Sequence, residues 1–190
     1  MLLLVGLGNP GSNYTNTRHN IGFKIIDAIN LHFKLSKQKP KFKGLLTTGN
    51  IESKKIYAIK PLTFMNNSGT AIKELIDYFK IDAKNVFVFH DDMDIDFGKI
   101  KAKFGGSSAG HNGINSIDKF IGKDYSRIRI GIGHPKQKNK VNNHVLEDFK
   151  EDEEEKIKEI AESIVKLIPT LIEKKMDLFS SKVNQNLNGI

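Results

Sequence analysis

Apolar residues fall along this chain in three rhythms, and each rhythm predicts a different element. Leu2 to Leu7 and Val86-Phe87-Val88-Phe89 are continuous apolar runs, as expected of strands buried on both faces. Lys99 to Phe104 and Arg127 to Ile132 alternate charged and apolar residues, the period of a half-exposed strand. Leu45 to Ile51 and Lys55 to Ile59 read as two strands turned at Glu52-Ser53-Lys54. Helical spacing relates Ile21, Ile25, Ile26, Ile29 and Phe33. It also relates Ala71, Ile72, Leu75, Ile76 and Phe79, with Asn66 to Ser68 as candidate caps, and then Ile114, Ile117, Phe120 and Ile121. An acidic amphipathic helix is expected over 151–168, with Pro169 ending or kinking it at Ile168. Lys37 to Lys43, around Pro40, reads as a basic loop, and 136–150 as a mobile basic one. Strands and helices alternate without repeat or linker. The expected fold class is therefore α/β: a single domain over 1–190, a mixed twisted β-sheet with helices on both faces.

Composition narrows the chemistry. A chain of 190 residues can bury a core without covalent staples. Cysteine is absent, which removes disulfides, thiolate metal sites and a cysteine nucleophile, and fits a reducing compartment such as the cytoplasm. Met1 to Val5 lacks a basic leader and runs at once into a glycine-rich turn, so it reads as a strand and not as a signal peptide. No apolar run approaches the ~18 residues of a membrane span. The formal net charge is +8, but residues 147–162 hold nine acids and three lysines, a local −6, leaving +14 on the rest. A body that basic fits a polyanionic partner, nucleic acid first, and equally fits a solubilising lysine coat.

The candidate chemistry centres on His19, in Tyr14-Thr15-Asn16-Thr17-Arg18-His19-Asn20. Asp91 closes a predicted buried strand, and a carboxylate there can accept one ring N–H, fix the tautomer and raise the basicity of the other nitrogen. Asn9, Asn66 and Asn112 stand on turns at element boundaries. Singly they are turn formers; converging, they would hold a carbonyl and a water. His90 and His111 are weaker candidates, the first closing a strand and the second starting a helix where capping accounts for it. The run Gly6-Leu7-Gly8-Asn9-Pro10-Gly11 has dinucleotide-binding spacing. Yet Pro10 removes an N–H donor, helical periodicity starts only near Ile21, and no acid-ended strand follows ~20 residues on. Asp91, Asp92, Asp94 and Asp96 fail as a calcium loop, with Phe97 at the glycine position and Lys103 in place of the closing glutamate. Lys101 and Lys103 share one strand face, as do Arg127 and Arg129, a pattern that suits a phosphate clamp or an ordinary solvent face. Lys136, Lys138 and Lys140 add a basic loop.

Together these segments resemble the bacterial-type peptidyl-tRNA hydrolases. The resemblance covers nearly the whole chain, is densest at Gly6 to Gly11 with Tyr14 and Thr17 to Asn20, and continues through Pro61 to Gly69, His90 to Asp94, Gly105 to Gly113 and Arg127 to Pro135. It implies hydrolysis of the ester joining a peptide to the terminal ribose of tRNA, which recycles tRNA from abandoned translation. It further implies His19 as base, Asp91 as its orienting partner, and Asn9, Asn66 and Asn112 positioning substrate and water. Tyr14 and Met65 belong to the substrate-binding set, Met65 beside the 3′-terminal nucleotide. Lys103 and Arg129 match the clamp on the tRNA 5′-phosphate and Lys138 a further tRNA contact. The resemblance implies a cytoplasmic monomer with peptidyl-tRNA as partner, and no metal or cofactor. Ser107, Ser108 and Ala109 depart from the more glycine-rich pattern of some members, and the tail at Lys174 to Leu178 is diverged. Two rivals stand beside this reading: a module that holds RNA without hydrolysis, and a metal-dependent nuclease built on Asp91, Asp92 and Asp94.

Overall fold

The computed structural model describes residues 1–135 and 141–189, without the side chains of 141 and 142. Its strands are β1 (Leu2–Gly6), β2 (Lys39–Lys41), β3 (Gly44–Ile51), β4 (Lys54–Pro61), β5 (Val86–Asp92), β6 (Ile100–Phe104) and β7 (Ser126–Gly131). They form one sheet in the order β2-β3-β4-β1-β5-β7-β6. The centre, β4-β1-β5-β7, is parallel, while β2, β3 and β6 pair antiparallel at the edges. The helices are α1 (Ile21–His32), α2 (Ser68–Phe79), α3 (Asn112–Ile121), α4 (Val141–His144), α5 (Glu151–Ile172) and α6 (Met176–Leu187). One face of the sheet packs Leu4, Phe87 and Phe89 against α1, α5 and α6. The other packs Leu3, Val5 and Val88 against α2 and α3. The expected mixed sheet with helices on both faces is the fold observed.

Four local readings change. Lys39–Lys41 is a strand and not a loop. A sheet edge tolerates a proline, whose missing N–H faces outward, and exposed lysines discourage further pairing there. Strand β5 extends past the apolar run Val86–Phe89 to Asp92, so Asp92 as well as Asp91 is a buried strand-end residue. Helix α5 runs through Pro169 to Ile172. Proline costs its helix one hydrogen bond, but Ile168, Leu171 and Ile172 are all buried, and continuing the apolar stripe outweighs that loss. The Asn66–Ser68 caps are also absent as such: Met65–Asn67 forms a 3-10 turn, and Ser68 Oγ donates back to the Met65 carbonyl (2.9 Å).

The diverged tail has a clear role in the fold. Helix α6 lies along the outer edge of β6 and satisfies that edge with side chains. Asn184 accepts the Ile100 N–H and donates to the Ile100 carbonyl (both 2.9 Å), and Ser180 Oγ accepts the Ala102 N–H (2.7 Å). Four residues of helix advance ~6 Å and two of strand ~6.8 Å, so side chains at i and i+4 can serve strand positions i and i+2. The helix thereby stands in for an eighth strand. Asn184→Ala should lower stability by ~1–3 kcal/mol by stranding both Ile100 groups, read as a lower urea midpoint with an unchanged m-value. An unmoved midpoint would show that water replaces the seal at no cost.

Candidate active site

The site forms where β1 and β5 end and α1 and α3 begin. Helix α1 approaches the sheet at Gly22, where a Cβ would collide with backbone atoms of Leu7 and Phe89. This close approach lets the turn Arg18–Asn20 lie over the end of β5. Asn20 then ties the preceding loop, accepting the Asn9 N–H (2.8 Å) and donating to the Asn9 carbonyl (2.9 Å). The Asn9 side-chain oxygen accepts the Met65 N–H (2.8 Å). Its amide nitrogen, unpartnered among the described residues, is left for the cleft.

Asp91 is 1% exposed and accepts from two rings. His19 Nδ1 lies 2.9 and 3.0 Å from its two oxygens, and His111 Nε2 lies 2.9 Å from Oδ1. The His111 tautomer follows from its surroundings. As N-cap of α3 its Nδ1 accepts the Gly113 and Ile114 N–H groups (3.1 and 3.3 Å), so its proton sits on Nε2 and points at Asp91. Burial by itself would raise the Asp91 carboxyl; the two histidines outweigh it and hold the group well below the usual carboxylate range. His19 Nε2 has no partner among the described residues. His90 sits beneath His111 with ring centroids 4.8 Å apart, donates from Nδ1 to the Asp91 carbonyl (2.7 Å), and has a buried Nε2 without partner among the described residues. Burial first, then His111, lower its pKa to about 3, so it is a neutral spacer near pH 7.

Asn9, His19, Asp91 and His111, but not His90, line a cleft of about 770 Å³ together with Phe64, Met65, Asn66, Asn112, Val145 and Leu146. Met65 is buried in its floor, whereas Asn66 and Asn112 are exposed at its edges. Tyr14 lies outside the lining, edge-on to Phe64 with ring centroids 6.4 Å apart. Of the segment 136–150, residues 136–140, including Lys138, lie outside the described residues. Val145 to Phe149 are bonded along the His19 turn: His19 N–H to the Val145 carbonyl (2.8 Å), Arg18 N–H to the Glu147 carbonyl (3.0 Å) and Phe149 N–H to the Asn16 carbonyl (3.1 Å). Arg18 completes the attachment, donating to the Asp148 carbonyl (2.6 Å) and to Glu153 (2.7 Å).

The basic residues separate. Lys101 and Lys103 are exposed on β6, with Lys101 directly opposite Arg129. Lys103 passes Gly106, whose missing Cβ leaves it room. Arg129 Nε donates to Asp92 Oδ2 (2.6 Å). Arg127 does not join them: it is buried under Tyr125, paired with Asp118 (2.8 Å) and donating to the Ser107 carbonyl (2.9 Å). Period-two alternation assigns both arginines to one face, but the sheet is covered at Arg127 and open at Arg129.

The acids separate as well. Asp91 serves two histidines, Asp92 holds Arg129, and Asp94 pairs with His134 (3.0 Å), so they do not converge as a nuclease metal site would require. His19, Asp91 and His111 do bring three donor atoms within 4.8 Å of one another. Because His111 Nδ1 already accepts backbone N–H groups, a metal on Nε2 would demand an imidazolate or a broken cap. The donor set fits a hydrogen-bonded relay better. His111 is the site residue that sequence reasoning undervalued. Its capping role is real, but nothing local in the sequence points its other nitrogen at Asp91.

The family profile described as Peptidyl-tRNA hydrolase matches residues 3–189. The chain is 70% identical to the peptidyl-tRNA hydrolase of Pelagibacter ubique over 184 residues, covering 97% of this chain and 99% of the relative. It is 47% identical to that of Ehrlichia canis, covering 97% and 95%. The crystal structure of the peptidyl-tRNA hydrolase from Acinetobacter baumannii superposes with a TM-score of 0.90 at 34% identity, covering 97% and 94%.

Acid should destabilise the protein through His90. The unfolded side chain takes up a proton near pH 6.5 that the folded one refuses until about pH 3. Stability is therefore full above 6.5 and falls as pH drops towards 3, by up to ~1.4 kcal/mol per pH unit for one proton. Thermal melts between pH 7 and 4 should show a shallower fall in His90→Gln than in the wild type; parallel curves would dismiss the assignment.

Proposed function

The chain belongs to the peptidyl-tRNA hydrolase family, and on that footing we propose that it hydrolyses the ester between a peptide and the 3′-terminal ribose of tRNA, using a water activated at His19 Nε2. The observation that carries this reading is the anchoring of His19 Nδ1 on the buried Asp91 carboxylate, which leaves Nε2 open to the cleft. Asp91 accepts the Nδ1–H and stabilises the imidazolium that forms when Nε2 takes a proton from water. The hydroxide equivalent adds to the ester carbonyl. The tetrahedral oxyanion is met by neutral donors, Asn9 through the amide nitrogen that has no partner among the described residues, with Asn66 and Asn112 at the cleft edges. Collapse breaks the bond to the ribose oxygen, which takes the proton back from His19 Nε2. The products are tRNA and a peptide carboxylic acid, which gives up its proton to solvent as the carboxylate, and the reaction serves in the recycling of tRNA from abandoned translation. A sugar hydroxyl is a far better leaving group than an amine, so no covalent nucleophile is required.

Phe64, Met65 and Tyr14 offer apolar surface to the 3′-terminal nucleotide and peptide. Lys103 and Arg129 bind the 5′-phosphate from the rigid β6–β7 ladder, and Lys138 contributes a further tRNA contact. The cleft is assembled within one chain, so a monomer suffices, and the substrate places the enzyme's work in the cytoplasm. Among the described residues no helix is long and apolar enough to cross a membrane.

Release of peptide from N-acetyl-aminoacyl-tRNA, measured with excess chelator, tests the reading. His19→Ala should lower kcat by about 10²–10⁴ while still binding tRNA. Wild type that binds tRNA but leaves the ester intact would instead make this an RNA-holding module. Lys103→Ala and Arg129→Ala should raise KM and flatten its dependence on salt concentration; an unchanged salt slope in both would dismiss the clamp.

A further inference from the structure

We propose that Asp92 is a positioning residue of the phosphate clamp, aiming the Arg129 guanidinium and making the clamp selective for a terminal phosphate monoester over internal phosphodiesters. The inference rests on the clamp reading above and deepens it. Asp92 ends β5 at 7% exposure and has both oxygens engaged: Oδ2 takes the Arg129 Nε–H (2.6 Å) and Oδ1 the Asp94 N–H (2.9 Å). A carboxylate fixed at both oxygens is a rigid acceptor. Its tether is on Nε, which leaves both terminal nitrogens of the guanidinium without partners among the described residues and fixes the plane in which their N–H groups project. Lys101 stands opposite on β6, its side chain on the same face, with Lys103 two residues on.

The electrostatic cost of the carboxylate is offset by selectivity. An enzyme seeking any RNA would gain from an uncompensated arginine. Here Asp92 cancels the Arg129 charge, and the net positive charge of the face rests on its lysines. A terminal monoester carries nearly two negative charges near pH 7 and three terminal oxygens, whereas each internal diester carries one charge and two such oxygens. A forked donor of fixed plane with modest net charge gains most from the group with more charge and more acceptors. The same strand end thus has two carboxylates with separate tasks: Asp91 turned to the histidines and Asp92, one residue later, turned to Arg129.

The test compares kcat/KM on N-acetyl-aminoacyl-tRNA carrying a 5′-phosphate with that on the same tRNA after phosphatase treatment, for wild type, Asp92→Ala, Asp92→Asn and Arg129→Ala. Wild type should prefer the phosphorylated substrate. Asp92→Ala should lose about tenfold of that preference, the equivalent of one charge-assisted hydrogen bond, by a higher KM on the phosphorylated substrate together with tighter binding of 5′-hydroxyl tRNA to the uncovered charge. Asp92→Asn keeps an acceptor for Nε but removes the charge. It should bind 5′-hydroxyl tRNA more tightly than wild type, with a steeper salt dependence. Asp92→Ala with the wild-type preference while Arg129→Ala loses it would overturn the role of Asp92 and leave the clamp standing. Equal losses on both substrates would mean a structural role only and would also overturn it. No preference in the wild type, or none lost in Arg129→Ala, would remove the clamp itself and this inference with it.

Discussion

A carboxylate taken out of water at the end of a central strand costs several kcal/mol unless donors meet it there, and Asp91 is such a group. It is met by a ring nitrogen from the turn before α1 and another from the first residue before α3. Neither ring is available by chance. His19 is held through its own N–H by Val145, and His111 through Nδ1 by the first turn of α3. The requirement to satisfy one buried charge therefore draws four separate segments to one point. The same requirement orders the chemistry, because a ring that must donate from Nδ1 has only Nε2 left for water.

The walls of the cleft are secured in the same way on opposite sides. Arg18 is buried against Phe149, pairs with Glu153 and donates to main-chain carbonyls of Glu147 and Asp148. Arg127 is buried against Tyr125, pairs with Asp118 and donates to the carbonyl of Ser107. Each guanidinium has more donors than its acid can use and spends the rest on main-chain carbonyls of a loop beside the cleft. Each also leaves Nε buried without a partner among the described residues, a cost accepted for a defined loop position. One loop presents Val145 and Leu146 to the cleft, the other Ser108 to Asn112. Both arginines act on the site without touching it.

Much of this architecture is legible in residue order. Hydrophobic period separates strands from helices correctly at the sheet centre, where both faces are buried and local pattern and tertiary environment agree. It fails where they diverge. Lys39–Lys41 has the composition of a loop and becomes a strand because an edge asks only for one pairing side. Pro169 is helical because the apolar stripe beyond it still faces the core. The polar stripe Ser180 and Asn184 carries no local sign that it replaces a strand.

Local period is a property of neighbours in sequence, so the chain by itself determined the alternation of strands and helices, the buried centre of the sheet, the segregation of acid to 147–162 and the motifs that hold His19, Asp91 and the asparagines. Hydrogen-bond partnership is a property of neighbours in space. His19 and Asp91 are separated by 72 residues and His111 and Asp91 by 20, and no period spans such intervals. Only the packed structure decided that His111 shares the carboxylate, that Arg127 is buried while Arg129 faces outward, and that Asp92 holds Arg129. Burial settled each case, because a polar group withdrawn from water takes the partner that packing leaves within reach.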